Sequence, residues 1–211
     1  MSTLIESPHA GGFLCYELPG LMSRIQATLN SGQNLKAGAV LGRILAAAAT
    51  VAGSNIGNGT VTVGNAGSSA VPGTYKLVCV ATAANAGTFN FYAPDGTLIR
   101  QITVGGGATA SDHFVITIVD GAIDFALGDS FSFAVTEGDF EVLNPAGTNG
   151  TQIAQAILFD AVDASSADTA CAVINKTAVV NAGEIAWPNG ISSPNKATAI
   201  AQLNARGIVL R

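Results

Sequence analysis

Residues 35–44 read LKAGAVLGRI, an extended apolar run that glycine interrupts twice. Aliphatic residues in such a run favour a strand, whereas glycine inside a strand marks a bend or a close approach of another backbone. Residues 23–29, SRIQATL, alternate polar and apolar side chains as a strand does, and residues 30–32, NSG, supply a turn between the two runs. We therefore predict two neighbouring strands, with bends or close backbone approach at Gly38 and Gly42.

The block at residues 54–138 carries the strongest strand pattern in the chain. Apolar and polar side chains alternate in five successive segments, which are residues 75–81, 89–91, 97–104, 113–119 and 130–136. Short strands at this spacing, with no helical period between them, favour a small β-sandwich or barrel. We predict that residues 54–138 form an inserted β-sandwich-like domain. The remaining residues, 1–53 and 139–211, then form one discontinuous domain.

The last part of the chain predicts two further strands and a helix. Residues 153–159 and 172–180 are the predicted strands. A Ser-Ser-Pro sequence at residues 192–194 places a capping residue before proline at the first helical position. The predicted helix ends near residue 205, buries Ile200 and Leu203, and precedes a closing strand. The predicted fold class is mainly β with one short C-terminal helix.

Composition excludes several classes of protein. Of 211 residues only 11% are charged, against roughly 25% in an average domain, while 48% are apolar and the net charge is −5. A disordered chain has the reverse balance, and a nucleic-acid binder carries a basic stripe. No apolar run approaches the length of about 20 residues that spans a membrane. So little charge is typical of a chain that packs against other subunits.

The residue types that most often take part in catalysis or metal binding form no recognisable motif in this sequence. His9 and His113 lie in no motif that pairs them with a nucleophile, so we expect no catalytic site, metal or cofactor. The acidic stretch at residues 112–141 lacks the spacing of a calcium loop, which favours a solvated edge. The three widely spaced cysteines are predicted to be small buried side chains, and they are Cys15, Cys79 and Cys171.

Four segments occur in an order that resembles a known family. They are residues 23–29, 32–42, 149–158 (NGTQIAQAIL) and 184–188 (EIAWP), followed by the short helix and a Gly-Ile-Val-Leu strand. This order, over residues 13–53 and 139–211, resembles the head decoration proteins of tailed bacteriophages, the family of the lambda capsid-stabilising protein. The resemblance implies a β-clip-like fold and a homotrimer on the outer capsid surface. It further implies that the trimer binds the major capsid protein and stabilises the DNA-filled head.

The resemblance also gives some residues expected roles. An N-terminal arm, residues 1–12, is expected to order on the coat surface as an added strand, the alternative being a frayed terminus. The candidate capsid contacts at this end of the chain are Leu4, Ile5, Pro8, Phe13 and Leu14. Trp187 and Pro188 are expected to anchor the core or a subunit contact. Residues 1–8 have no signal-peptide pattern, so we expect synthesis in the host cytoplasm and a place in the virion, with no membrane or direct nucleic-acid partner.

The alternative function is surface adhesion or carbohydrate binding through residues 54–138. A β-sandwich exposed on a particle suits contact with a host-surface glycan. Only Tyr75 and Tyr92 are available there to stack on a sugar ring.

Overall fold

The computed structural model describes residues 9–18 and 22–211. Over this part of the chain the protein is mainly β with one short helix near the C-terminus, as predicted. The strands are β1 (Leu14–Glu17), β2 (Arg24–Leu29), β3 (Gln33–Leu35), β4 (Val40–Ala47), β5 (Val51–Ala52), β6 (Thr60–Ala66), β7 (Gly73–Ala83), β8 (Ala86–Tyr92), β9 (Leu98–Thr103), β10 (Phe114–Val119), β11 (Ser130–Val142), β12 (Ala156–Leu158), β13 (Val162–Ala164), β14 (Thr169–Ile174), β15 (Ala178–Val180) and β16 (Ile208–Leu210). The helix, α1, spans Ser193–Ala205.

The chain divides into two compact units. Unit 1 comprises residues 1–44, 139–147 and 151–211, and unit 2 comprises residues 45–138 and 148–150. The chain therefore leaves unit 1 within β4, returns to it within β11, and enters unit 2 once more at residues 148–150.

Unit 1 is built around a small closed set of strands. Its order is β2, β14, β12, β4 and the end of β11, which pairs with β2 again where Phe140 lies opposite Leu29. Neighbouring residues on three strands belong to two different apolar clusters, the pairs being Val40 and Leu41, Ile157 and Leu158, and Val173 and Ile174. Because both faces of these strands are buried, their sequences are apolar almost throughout instead of alternating.

The two glycines of residues 35–44 lie where other backbone segments approach the start of β4. Gly38 has φ +83°, and a Cβ there would lie 2.7 Å from the Glu184 carbonyl oxygen. A Cβ at Gly42 would lie 2.6 Å from Cα of Thr151. The Ala186 N–H also donates to the Gly38 carbonyl oxygen at 3.0 Å. The predicted close approach at both glycines is confirmed, and the approaching segments are now known.

Helix α1 begins at the predicted cap. The Ser192 hydroxyl accepts a hydrogen bond from the Asn195 N–H at 3.4 Å. The helix buries Ala199 and Leu203. Ile200, which was predicted to be buried, is only half-buried because Ala199 occupies the inward position beside it.

Unit 2 has an aromatic core of its own. Tyr75 is fully buried, stacks on Phe133 at 5.2 Å between ring centroids, and meets Phe114 edge-on at 5.1 Å. Phe131 and Val135 are buried on the same face of β11 as Phe133, as their alternation predicts. The prediction that Tyr75 is available to stack on a sugar is wrong, because its position on β7 points the ring into this core.

The cysteines do not all share one environment. Cys79 and Cys171 are buried as predicted, and burial raises the pKa of both thiols. The prediction for Cys15 is wrong: its side chain is exposed. Cys15 lies on β1, which among the described residues is an edge strand of its sheet and pairs with β15.

The close approach at Gly38 is testable against a matched glycine. Gly32 has nearly the same φ, +84°, but a Cβ there meets nothing within 4 Å. We expect Gly32→Ala to lower the free energy of unfolding by about 1 kcal/mol through backbone strain alone. Gly38→Ala is expected to lower it by about 3 kcal/mol or more, because the backbone of residue 184 must also move. Denaturant unfolding measures both, and equal losses would contradict the close approach.

Stability is expected to fall as the pH drops below about 6.5, the ordinary pKa of histidine. The Tyr75 hydroxyl accepts the Val71 N–H and lies 3.0 Å from Nδ1 of His113. Burial lowers the pKa of His113, although Asp112 and Asp95 oppose this effect. The neutral ring is thus favoured in the folded protein, and its contribution is lost once the unfolded chain takes up a proton.

His113→Gln, which does not titrate, tests this cause of the pH dependence. Between pH 7 and pH 5.5 the variant is expected to lose less stability than the unmodified protein in urea unfolding. Identical losses would rule out His113 as the titrating group.

Candidate functional site

Residues 9–14 are fixed to unit 1 at several points, and we call this segment the arm base. The Gly11 N–H donates to the Phe159 carbonyl oxygen at 2.8 Å, and the Asn181 N–H donates to that of Phe13 at 2.8 Å. The Phe13 side chain is 2% exposed within an apolar cluster, and Leu14 packs half-buried against the same cluster. The arm base is therefore part of the folded core of unit 1.

This placement divides the candidate capsid contacts into two groups. Leu4, Ile5 and Pro8 lie outside the described residues. Phe13 fixes the arm base to the core, so its side chain reaches a partner only if it leaves that core. Leu14 keeps part of its surface open to solvent.

An ion pair that the sequence analysis missed stands beside the arm base. Arg24 on β2 donates from Nε to Glu17 Oε2 of β1 at 2.8 Å, and a second bond joins Arg24 Nη2 to Glu17 Oε1. The bond from Arg24 lowers the pKa of Glu17, and the same bond raises the pKa of Arg24. The guanidinium also lies 3.8 Å from the centre of the Phe159 ring, a cation–π contact. The partners lie on separate elements, so their spacing gave no signal.

Trp187 and Pro188 are positioned by the backbone contact at Gly38. The Ala186 N–H donates to the Gly38 carbonyl oxygen, and the Ala186 carbonyl oxygen accepts the Val40 N–H of β4. The next two residues therefore lie beside the start of that strand. The Trp187 ring packs against the same apolar cluster as Phe13, with Nζ of Lys196 5.0 Å from the ring centre. Its Nε1–H is shielded from solvent and has no hydrogen-bond partner among the described residues. A buried donor without an acceptor costs stability.

Two adjoining hollows of about 460 and 360 Å³ flank Pro188, and we call them together the Pro188 groove. Val142 and Asn189 line both hollows. The first also has amide side chains in its wall, including Gln33, Asn144 and Asn195, and the second includes Leu35, Lys36 and Trp187. Amide groups beside apolar side chains can pair with the backbone of another polypeptide and bury its side chains.

The described part of the chain holds no group of three or more His, Cys, Asp or Glu residues placed to bind a metal ion. His113 belongs to unit 2, where it faces Tyr75. Among the described residues, no helix has both the length and the apolar character to cross a membrane.

The family model described as Bacteriophage lambda head decoration protein D matches residues 3–208. The match extends through the central block as well as both flanks, whereas the sequence resemblance rested on residues 13–53 and 139–211. No curated protein and no solved structure matches the chain.

The unpaired indole N–H makes a specific prediction. Trp187→Phe removes the donor but keeps an aromatic ring, so the free energy of unfolding is expected to stay within about 1 kcal/mol of its original value or to rise. Trp187→Ala also removes the packing and is expected to cost roughly 2 kcal/mol. Chemical denaturation compares the two variants. Equal destabilisation would mean that the N–H has a partner within the chain.

Proposed function

Because the chain belongs to the bacteriophage lambda head decoration protein family, it has a structural role in the phage capsid, and we propose that it coats the outside of the head as a homotrimer. In this proposal the trimer binds the major capsid protein and stabilises the DNA-filled shell. The family match over residues 3–208 carries the proposal. The family is one of structural proteins, and we assign the chain no enzymatic activity and no cofactor.

The negative net charge of the chain agrees with a position outside the capsid, and a trimer would strengthen its binding there. On the outer surface the capsid shell separates the protein from DNA, so a chain of net charge −5 needs no basic patch. Three linked copies also convert a weak contact per subunit into strong overall binding. A closed three-fold ring repeats one interface and then terminates.

We place the contact between subunits at the Pro188 groove. The groove has apolar side chains beside amide side chains, and a neighbouring subunit would bury the apolar ones. The amide side chains of the groove would pair with the same neighbour. Trp187 and Pro188 then act at the interface while also packing on the core of their own subunit.

We place the capsid contact at the N-terminal arm. Gly11 and Phe13 fix the arm base, so the residues before them start from a defined point on unit 1. Leu4, Ile5 and Pro8, with Leu14 at the base, would contact the coat protein as an added extended strand.

We propose that the two units act as separate domains, a decoration domain predicted at residues 1–53 and 139–211 and an insert predicted at residues 54–138. Unit 2 differs from the predicted insert because it begins at residue 45 and includes residues 148–150. Separate apolar clusters in the two units support this division. Carbohydrate binding by the insert remains the alternative, with Tyr92 half-buried and Tyr75 enclosed in the core.

Removing residues 1–8 tests the arm and the trimer separately. The truncation leaves the Gly11 and Phe13 contacts in place, so the trimer mass measured by sedimentation is expected to be unchanged. Retention on purified expanded heads that lack decoration protein is expected to fall at least about tenfold, because the extended contact is lost.

Leu4→Ser combined with Ile5→Ser is the matched variant of full length, and it should weaken retention in the same direction. Full retention by both proteins would remove the arm from the capsid contact. A monomer at all concentrations, together with no retention of the unmodified chain, would overturn the proposed function.

A further inference from the structure

Two loops of unit 2, residues 53–59 and 120–129, are joined through one buried carboxylate, and we call them the clamped loops. Asp129, 4% exposed, accepts hydrogen bonds from the N–H groups of Ile56 at 2.9 Å, Gly57 at 2.9 Å and Ala126 at 3.0 Å. Burial by itself raises the pKa of Asp129, but the three N–H donors together outweigh it and the pKa lies below its usual value. Asp129 is thus an exception to the prediction of a solvated acidic edge.

Further contacts fix the same loops. The Asn58 side-chain oxygen accepts the Ile123 N–H at 2.9 Å, and the Asn58 N–H donates to the Ile123 carbonyl oxygen at 3.2 Å. Phe125 is buried and meets Phe89 and Phe131 edge-on, at 5.0 and 6.0 Å between ring centroids. The clamped loops are therefore anchored in the core of unit 2.

These fixed loops expose large aliphatic side chains. Ile56 is 69% exposed, Leu127 is 68% exposed and Ile123 is 53% exposed. The hydrogen bonds bring the backbone at these three positions close together, because Ile56 and the residue before Leu127 bind the same carboxylate and Ile123 is bonded to Asn58. Single exposed aliphatic residues are ordinary, but a group of them on an ordered surface is typical of a protein contact site.

The charge around this group has one sign. The clamped loops contain no Lys, Arg or His, and of their three acidic residues Asp124 is exposed, Asp120 is half-buried and Asp129 is buried. Both carboxylate oxygens of Asp120 are shielded from solvent and lack a hydrogen-bond partner among the described residues. Unit 2 as a whole has six acidic and two cationic side chains. A surface of this kind attracts a cationic partner.

We propose that the clamped loops are a docking surface for a protein whose contact face has aliphatic side chains surrounded by Lys and Arg. Charge complementarity selects this occupant. The same loops on a second copy would bring carboxylates together, and nucleic acid or an anionic membrane would be repelled. A glycan would find no exposed aromatic ring, because Phe125 is the only one in these loops and it is buried. This surface adds a function to the capsid contact, which we place in unit 1.

An amide NMR titration of the full chain tests the proposal. The probe is a synthetic peptide of four Lys-Leu-Leu repeats, and the control peptide has Glu in place of each Lys. We expect the Lys peptide to shift the resonances of the clamped loops and the Glu peptide to leave them unchanged. Asp120→Asn with Asp124→Asn is expected to weaken binding and to reduce its dependence on salt.

Serine variants of exposed aliphatic residues distinguish binding at the clamped loops from non-specific hydrophobic binding. Ile56→Ser with Leu127→Ser is expected to reduce affinity for the Lys peptide at least about tenfold. Val71→Ser with Leu98→Ser is the matched control, because these side chains are 44% and 47% exposed elsewhere in unit 2, and it should bind as the unmodified chain does.

Four outcomes would overturn the proposal. They are absence of binding, equal binding of the two peptides, shifts confined to other residues, and equal loss of affinity in both serine variants. Self-association without peptide that Ile56→Ser with Leu127→Ser abolishes would instead make a second copy the occupant. Unchanged circular dichroism of each variant confirms that the fold is retained.

Discussion

The close packing of backbone against backbone at the start of β4 is the constraint on which unit 1 depends. Gly38 admits residues 184–186, and Gly42 admits Thr151, at distances that leave no room for a Cβ. Through these two contacts β4 lies against segments from the far end of the chain. The same contacts direct Trp187 and Pro188 beside the strand. Core formation and the position of the Pro188 groove therefore share one cause.

The two units bury their apolar side chains in different ways. In unit 1, strands with apolar residues on both faces are covered by two clusters, and one of these clusters also holds Phe13 of the arm base. In unit 2, an aromatic core is enclosed by alternating strands, and a buried carboxylate orders the clamped loops. The Pro188 groove and the clamped loops, which we propose as contact surfaces, thus both lie on segments that are fixed within their own unit.

Sequence patterns predicted the strands and the helix that depend on residues close together in the chain. Alternation identified β7 to β11, and the Ser-Ser-Pro cap located α1. The same alternation places Tyr75 on the face of Leu77 and Cys79, so its burial was implicit in the pattern. β6 escaped detection because Gly64 and Asn65 weaken its apolar pattern. Contacts between distant segments gave no signal: Asp129 resembled an ordinary turn residue, and neither the Arg24–Glu17 pair nor the partners of Gly38 and Gly42 follow from spacing.

One backbone hydrogen bond within unit 2 bears on how the whole chain folds. The Ala48 N–H donates to the Ala134 carbonyl oxygen at 2.8 Å, so folded unit 2 holds its own two chain ends side by side. Without that bond, pairing β4 with β12 would require closure of a flexible loop of more than a hundred residues. Once unit 2 has folded, the effective loop is about a quarter as long, which lowers the entropic cost of closure by about 1 kcal/mol. A central block that folds first would thereby act as an intramolecular template for the discontinuous unit around it.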